Sequence, residues 1–527
     1  MNEIAVSSLP RVTYSNINED FSGVHAVLDR VIPDVKAKLG RVHPNFIDGR
    51  DNREGAAYEA PYPVDRSLGL GTFFAASPAS VAAAVDAARK AYPDWRKSGW
   101  ERRVELARKA ADLLEERKFE VAAACLLEVG KSRMEAIGEI EEGIDILRFY
   151  SGEMEANRSF ERNLRRAQER EETLDVLRPY GVFAVIAPFN FPVALSLGMS
   201  ICALLAGNTV VFKPSPMAGL TGRLITDCFT EAGFPGGVFN LVNGSNETGA
   251  ALAAHPGVDG IAFTGSHAVG MQLLRNFGSG GAHAKPVLAE MGGKNPTYVT
   301  ASAQVETAVS GMLRSAFGLQ GQKCSAGSVV FLHESLAQPF LERLIEGAQA
   351  LKLGDPYERD VFMGPLINEA ARDRFLGSVQ AAKSAGSTVH GGAQLDGGIY
   401  DGGYFVQPTI VTGLPDDHAL HRDELFMPFL TVRTFTDLDD AIARGNAVPY
   451  GLTAGVYAED EAEVEQFLDT AEAGALYVNR ASGATTGAWP GMQTFCGWKG
   501  SGTGSKGGLG SWYLPQFMRE QSRTIMR

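Results

Sequence analysis

Between Tyr180 and Phe277 the chain alternates short, almost wholly apolar runs with longer segments of helical length. The runs are GVFAVIAP, NTVVFKP, VFNLVNG and GIAFTG; the segments between and after them are PVALSLGMSICALLAG, LTGRLITDCFTEAG, GAALAAHPG and HAVGMQLLRNF. A strand wetted on one face alternates apolar and polar residues, and these runs do not. Strands apolar throughout must be covered on both faces, and helices between successive strands give that cover when the strands run parallel. The stretch is read as a doubly wound α/β unit, which places ligand sites at the carboxyl ends of its strands. Val182–Phe212 is apolar enough to suggest a membrane span, but Pro188 and Pro192 interrupt it. The apolar helix that remains, to about Ala206, is shorter than the ~20 residues a span needs.

A second strand–helix series begins near Lys285 with KPVLAEM. It continues through a helix near Ala308–Phe317, SVVFLH, a helix at Leu336–Ala350, TIVTG and LYVN. With 527 residues there is room for two to four units. The predicted fold class is α/β, two doubly wound parallel-sheet domains plus a small oligomerisation arm. Residues 1–50 are read as an irregular leader with a few helical turns. Residues 51–157 and 182–290 form the first domain and 291–479 the second, and 480–502 is a loop returning to the first. Ala79–Tyr92, between Pro78 and Pro93, is predicted as a surface helix. Arg102–Arg117, Phe119–Val129 and Glu135–Asn157 follow as helices, the last long and amphipathic. Residues 158–181 are polar and admit two readings, a solvated helix or an exposed hairpin arm. Residues 503–527 close with YLPQFMREQSRTI, an edge strand or arm.

The net charge of −13 argues against a nucleic-acid or anionic-membrane partner, because phosphate binding needs a basic footprint. The five cysteines, Cys125, Cys202, Cys228, Cys324 and Cys496, include no C-x-x-C pair, so neither a disulfide framework nor a metal site is expected. The N-terminus carries no basic and apolar signal pattern, and a cytoplasmic location is expected.

Four positions carry candidate chemistry, each with a blander alternative. Cys324 sits among small residues ahead of a strand, in GLQGQKCSAGSVVF; it is a nucleophile only as thiolate, and on position alone it reads as a core thiol. Glu290 ends an apolar strand before Gly292-Gly293, where partial burial suits a general base; alternatively it is a surface strand end. The turn Gly265–Gly270 opens a helix and can present N–H groups to a pyrophosphate, although it is not G-x-G-x-x-G. Asn190, between aromatics and prolines, can donate to an oxyanion or serve the turn alone.

Together these positions fall in motifs that resemble the aldehyde dehydrogenase superfamily over roughly residues 45–525. The motifs are APFNFP at 187–192, VFKPSP at 211–216, FTGS at 263–266, EMGGKNP at 290–296, GQKCSAG at 321–327 and DELFMPF at 423–429. The resemblance implies that 51–157 with 182–290 binds a dinucleotide, that 291–479 is catalytic, and that 158–181 with 503–527 mediates a dimer or higher homo-oligomer. It implies Cys324 as nucleophile, Asn190 as oxyanion donor with the Cys324 backbone N–H, and Glu290 as base for thioester hydrolysis. It implies cofactor contacts from Lys213, Ser215, Phe263, Gly265, Ser266, Gly270, Glu424 and Phe426.

Within the superfamily the chain is most like the Δ1-pyrroline-5-carboxylate dehydrogenases, which oxidise L-glutamate γ-semialdehyde in proline catabolism. Ser325 after the cysteine and the TGA at 486–488 carry that likeness. It implies that Ser325, Gly487 and Ala488 hold the substrate carboxylate, Glu142 its ammonium, and Phe191 and Phe495 its aliphatic chain. The sequence departs from the pattern in three respects. Extra residues precede Thr486, so Ser482-Gly483-Ala484 competes as anchor. Trp489, Thr494 and Cys496 stand where other residues are expected, which leaves open another semialdehyde or an aromatic or aliphatic aldehyde; Cys496 either lines the pocket or packs as a small hydrophobe. Pro216 stands where NAD-specific relatives place Glu, so NADP stays open beside NAD.

Overall fold

The computed structural model describes residues 9–17, 19–481, 485–504 and 506–527. Two seven-stranded sheets organise the chain. In the first, Val287–Glu290, Gly260–Thr264, Val182–Ile186, Thr209–Lys213 and Phe239–Leu241 lie side by side, all parallel. The predicted apolar runs are these strands, and Thr209–Lys213 is buried at every position. In the second, the order is Thr388–His390, Thr409–Thr412, Phe429–Phe435, Gly327–His333, Asn295–Val299, Thr453–Tyr457 and Ala475–Val478. All neighbours there are parallel except the antiparallel edge strand Thr388–His390.

The first seven helices in chain order are α1 (Ser22–Lys36), α2 (Pro78–Lys97), α3 (Trp100–Glu116), α4 (Lys118–Val129), α5 (Arg133–Ala156), α6 (Ala194–Ala206) and α7 (Gly219–Ala232); α2, α6 and α7 pack on the first sheet and the others pack around them. Helices α6 and α7 lack a capping side chain at their own N-caps, Val193 and Ala218. Buried glutamates of the preceding helices take over the orphan N–H groups. Glu139 of α5 accepts from the Val193 and Ala194 N–H groups at 2.7 and 3.1 Å. Glu128 of α4 accepts from those of Leu220 and Thr221 at 2.6 and 2.9 Å. Burial pushes the Glu128 carboxyl up to about 7, against the pull of those donors.

Several sequence expectations change here. Helix α2 does not stop at Pro93 but runs to Lys97, since Trp95 anchors its last turn by donating to the Leu204 carbonyl at 3.2 Å. It is no free surface helix either, because Val81, Ala84, Val85 and Ala88 are buried. The first half of α5 is buried nearly all round, its glutamates included, so it is not amphipathic in the ordinary sense. The leader is more regular than expected: α1 spans 15 residues, and Asn45–Ile47 and Arg50–Asn52 extend the first sheet at its edge. Residues 158–181 form no α-helix, only a 3₁₀ turn at Arg158–Phe160. Glu161–Asn163 and Glu171–Pro179 pair antiparallel, and Met518–Met526 adds along the whole of the longer strand. Residues ahead of that last strand pack inward, with Tyr513, Leu514 and Phe517 in the core. Among the described residues no helix is long and apolar enough to cross a membrane.

Candidate active site

The first sheet reverses its strand order at Val182–Ile186. The chain proceeds to Thr209–Lys213 on one side and returns to Gly260–Thr264 on the other. Loops leaving such neighbouring strands go to opposite faces, which opens a crevice at their carboxyl ends. One loop carries Asn190 and Phe191, the other Gly265 and Ser266, and Glu290 ends the adjoining strand opposite Thr264. The second sheet contributes the segments that enter its strands: Cys324 precedes Gly327–His333, and Glu424 and Phe426 precede Phe429–Phe435.

The approach to Cys324 is strained. Leu319, Gln320 and Gly321 have φ of 49°, 56° and 64° in succession, a conformation the first two residue types rarely adopt. Buried amides hold it. The Gln320 side chain donates to the Gly130 carbonyl at 3.0 Å, and the Gln322 side chain accepts from the Ile367 N–H at 3.1 Å. Asn295 closes the other side by donating to the carbonyls of Cys324 and Ala326 at 2.7 and 2.8 Å. Its carbonyl oxygen accepts from the Thr453 N–H at 3.1 Å. These bonds fix the segment that presents the Cys324 side chain.

Cys324 and Glu290 share the wall of one cavity of about 120 Å³, room for many times the ~10–15 Å³ that a single water centre needs. Ser325, Ala488, Phe191, Phe495 and Glu142 stand in the same wall. Asn190, 3 % exposed, and Gly487 do not; Thr486 takes the place expected of Gly487. Gly487 lies against the Arg480 guanidinium, 3.1 Å from where a Cβ would stand. Ser482-Gly483-Ala484, the competing anchor, lies outside the described residues. Cys496 is not in the wall, and its thiol donates to the Gly474 carbonyl at 3.4 Å.

Burial dominates the titration of this site. It pushes the Cys324 thiol up to about 12, reinforced by the negative charges of Glu424 and Glu290 and opposed by backbone N–H groups of Ser325 and Cys324. Burial likewise holds the Glu290 carboxyl well above its ordinary range, opposed by the Gly497 N–H, and its Oε2 is buried without a hydrogen-bond partner. The thiol is thus neutral at pH 7, and burial biases the Glu290 carboxyl toward its acid form. Glu142 rises to about 8 by burial, although the Tyr14 hydroxyl donates to it at 2.8 Å.

The residues expected at a cofactor surround the crevice. Ser266 caps the helix His267–Leu273 and is exposed. Gly265 and Gly270 admit no side chain, since a Cβ would meet the Phe263 ring at 2.5 Å and the Met291 sulfur at 2.4 Å. Phe263 itself is buried and supports the turn from below. The Lys213 ammonium, pushed by burial down to about 8, donates to the Pro214 carbonyl at 3.0 Å, one of its three donors. Ser215 accepts from the Met217 N–H at 3.2 Å. The Glu424 carboxylate accepts from the Gly293 N–H at 3.2 Å, and a Cβ on Gly292 would overlap it. Phe426 is held at φ 58° with its ring edge-on to Phe189. Glycines cleared for close approach, a hydroxyl, an ammonium and a carboxylate fit a dinucleotide lying along the crevice.

Sequence reasoning missed the second layer. Lys131, fully buried, donates to Glu139 at 2.5 Å and stands 3.6 Å from the centre of the Phe191 ring. With Glu139 capping α6, this pair holds the loop of Asn190 and Phe191. A lysine after Gly130 gives no local sign of burial, and Glu139, in a glutamate-rich helix, gives none either.

A thiol and a buried carboxylic acid thus face one pocket at the switch point of a dinucleotide-type sheet. The chain belongs to the aldehyde dehydrogenase family, whose model matches residues 51–522. It is an NAD(P)-dependent enzyme that oxidises an aldehyde. It is 35% identical over 512 residues to 1-pyrroline-5-carboxylate dehydrogenase 2 of Bacillus subtilis, covering 96% of this chain and 97% of that one. It superposes on the 1-pyrroline-5-carboxylate dehydrogenase from Thermus with bound NAD at a TM-score of 0.91 and 33% identity, with 97% of each chain covered. Proline utilization A from Bdellovibrio bacteriovorus matches at a TM-score of 0.89 and 34% identity over 95% of this chain, which spans only 51% of that longer protein.

Proposed function

We propose that the substrate is L-glutamate γ-semialdehyde and the product L-glutamate. The observation that carries this reading is the shared cavity wall, which joins Cys324 and Glu290 to Ser325, Ala488 and Glu142. The hydroxyl and the Ala488 backbone suit a carboxylate, Glu142 suits an ammonium, and Phe191 and Phe495 suit the methylenes between. Relatives carrying the 1-pyrroline-5-carboxylate dehydrogenase name support the same substrate.

Cys324 gives its proton to solvent and its sulfur attacks the aldehyde carbon; a C–S bond forms as the C=O π pair moves onto oxygen, leaving an oxyanion. The Cys324 backbone N–H stabilises that charge, and the family motif assigns the second donor to Asn190, which lies behind the cavity wall. When bound, NAD(P) accepts the hydride whose loss turns the thiohemiacetal into a thioester. Glu290, ionised, takes a proton from water; the resulting hydroxide attacks the thioester carbonyl and the Cys324 thiolate leaves. Lys213, Ser215, Gly265, Ser266 and Gly270, with Phe263 beneath, hold the adenosine and pyrophosphate side, and Glu424 and Phe426 the nicotinamide side. Pro216 places no carboxylate against a 2′-phosphate, so NADP is tolerated beside NAD.

A panel of aldehydes with NAD and with NADP, followed by reduced-cofactor absorbance, tests the reading. Glutamate γ-semialdehyde is expected to give the highest kcat/KM. No rate with it beside a good rate with another aldehyde rejects the substrate and keeps the class. The three-stranded arm gives no core of its own, and we assign it to a homodimer or higher assembly in the cytoplasm. A light-scattering mass of at least twice 56.4 kDa is expected, and a mass of one chain contradicts it.

A further inference from the structure

The described N-terminal segment closes part of the substrate cavity, and nothing in the reaction above uses it. Residues 11–16 form a self-bonded turn. The Asn16 side chain accepts from the Thr13 N–H at 2.7 Å and donates to the Arg11 carbonyl at 3.0 Å. Arg11 ties the turn to α5 through Glu141 and Asp145, at 3.1 and 3.0 Å. Asp145 also accepts from the Trp489 indole N–H at 2.8 Å, so one carboxylate clamps the turn and the 485–497 loop together. Gly138 makes room: a Cβ there would stand 3.3 Å from the Tyr14 ring. The ring meets Trp489 and Phe191 edge-on, at 5.6 and 6.3 Å between centres. Tyr14 and Ile17 both stand in the cavity wall.

We propose that Tyr14 is a specificity-determining positioning residue, whose hydroxyl, donated to Glu142 Oε2 at 2.8 Å, holds that carboxylate for the ammonium of an α-amino semialdehyde. The inference rests on the substrate reading above. A phenol has a single proton to give, so it orients one oxygen and leaves the other for a cationic partner. The neighbouring cation, Lys131, is engaged by Glu139 and the Phe191 ring, and so does not substitute for that partner. A hydrogen bond to a charged acceptor in a buried site favours the charged form, the form an ammonium needs. Ile17, Ile146 and Leu195 add apolar surface to the same wall, and Glu135, its remaining acid besides Glu290, is already paired with Lys323.

The test compares glutamate γ-semialdehyde with glutarate semialdehyde, the same chain without the amine, in the wild type, Tyr14→Phe, Glu142→Gln and the double variant. Tyr14→Phe removes one oxygen and is expected to raise KM for the aminated substrate about tenfold, with kcat and the KM for glutarate semialdehyde within about twofold. In the Glu142→Gln background the same change is expected to add nothing, because the two side chains act as one unit. Equal KM shifts on both substrates, no shift on either, or a Tyr14→Phe effect undiminished in the Glu142→Gln background overturns the proposal and leaves the substrate reading intact. A wild-type enzyme that oxidises glutarate semialdehyde but not the aminated substrate overturns both.

Discussion

Cys324→Ser is expected to lower kcat by about 10⁴-fold or more, with the thermal midpoint within a few degrees of wild type. The exchange removes one soft, ionisable sulfur and leaves the loop that presents it untouched, since the bonds of Asn295, Gln320 and Gln322 run to backbone groups. Losses of this order follow removal of a nucleophile whose partners act as a unit with it. A second readout comes from the thiol itself. Pushed up to about 12, it is neutral at pH 7, and the thiolate fraction grows about tenfold per pH unit below that value. Alkylation of the cofactor-free enzyme by iodoacetamide is therefore expected to be slow at pH 7 and to climb with pH at position 324. Cys125, Cys202 and Cys228 are buried and burial raises their thiols too, so they stay unlabelled for want of access; a Cys496→Ser variant separates the remaining half-exposed thiol. A Cys324→Ser enzyme with full turnover would reject the nucleophile.

What was legible in the sequence follows from the range of the forces that write it. The apolar strands between Tyr180 and Glu290 show up as composition, because burial on both faces excludes polar residues locally. Cys324, Glu290 and Asn190 were legible through the motifs around them, not through their own positions, where each reads as blandly as any thiol, strand end or turn. The buried charges of α5 were illegible. Glu135, Glu139, Glu141 and Glu142 look like a solvated face, and only partners far along the chain or in other elements, Lys323, Lys131, Lys118 and Tyr14, make their burial tolerable. The same holds for Pro93, which ends a helix in isolation but not one pinned by Trp95 to α6. Long-range pairing also hid the arm. Glu171–Pro179 is polar because its faces stay open, and its strand partner lies at the other end of the chain.

Glu290→Gln separates the two halves of the reaction. The amide keeps size and shape but cannot take a proton from water, so acylation proceeds and hydrolysis stalls. One equivalent of NADH per active site is expected in a burst, followed by a steady state about 10²–10⁴-fold slower than wild type, and mass spectrometry of the stalled enzyme should find the acyl group on Cys324. The pH dependence carries the same assignment. Burial raises the Glu290 carboxyl in the folded enzyme, so its base form appears only as pH rises, and wild-type kcat is expected to increase with pH along a limb that the variant lacks. Linkage fixes the sign of the stability change. An acid whose folded value lies above its ordinary 4.5 stabilises the fold fully below that pH and loses the contribution as pH rises through the folded value. Once pH has risen enough to ionise it, the carboxylate, with Oε2 unpartnered, is a cost of keeping a base in an apolar wall, and Glu290→Gln is expected to unfold there at the same temperature as wild type or higher. A slow, burst-free time course would move the lesion to the steps before the thioester, and an unchanged steady state would give the water to another group; either result removes Glu290 from hydrolysis.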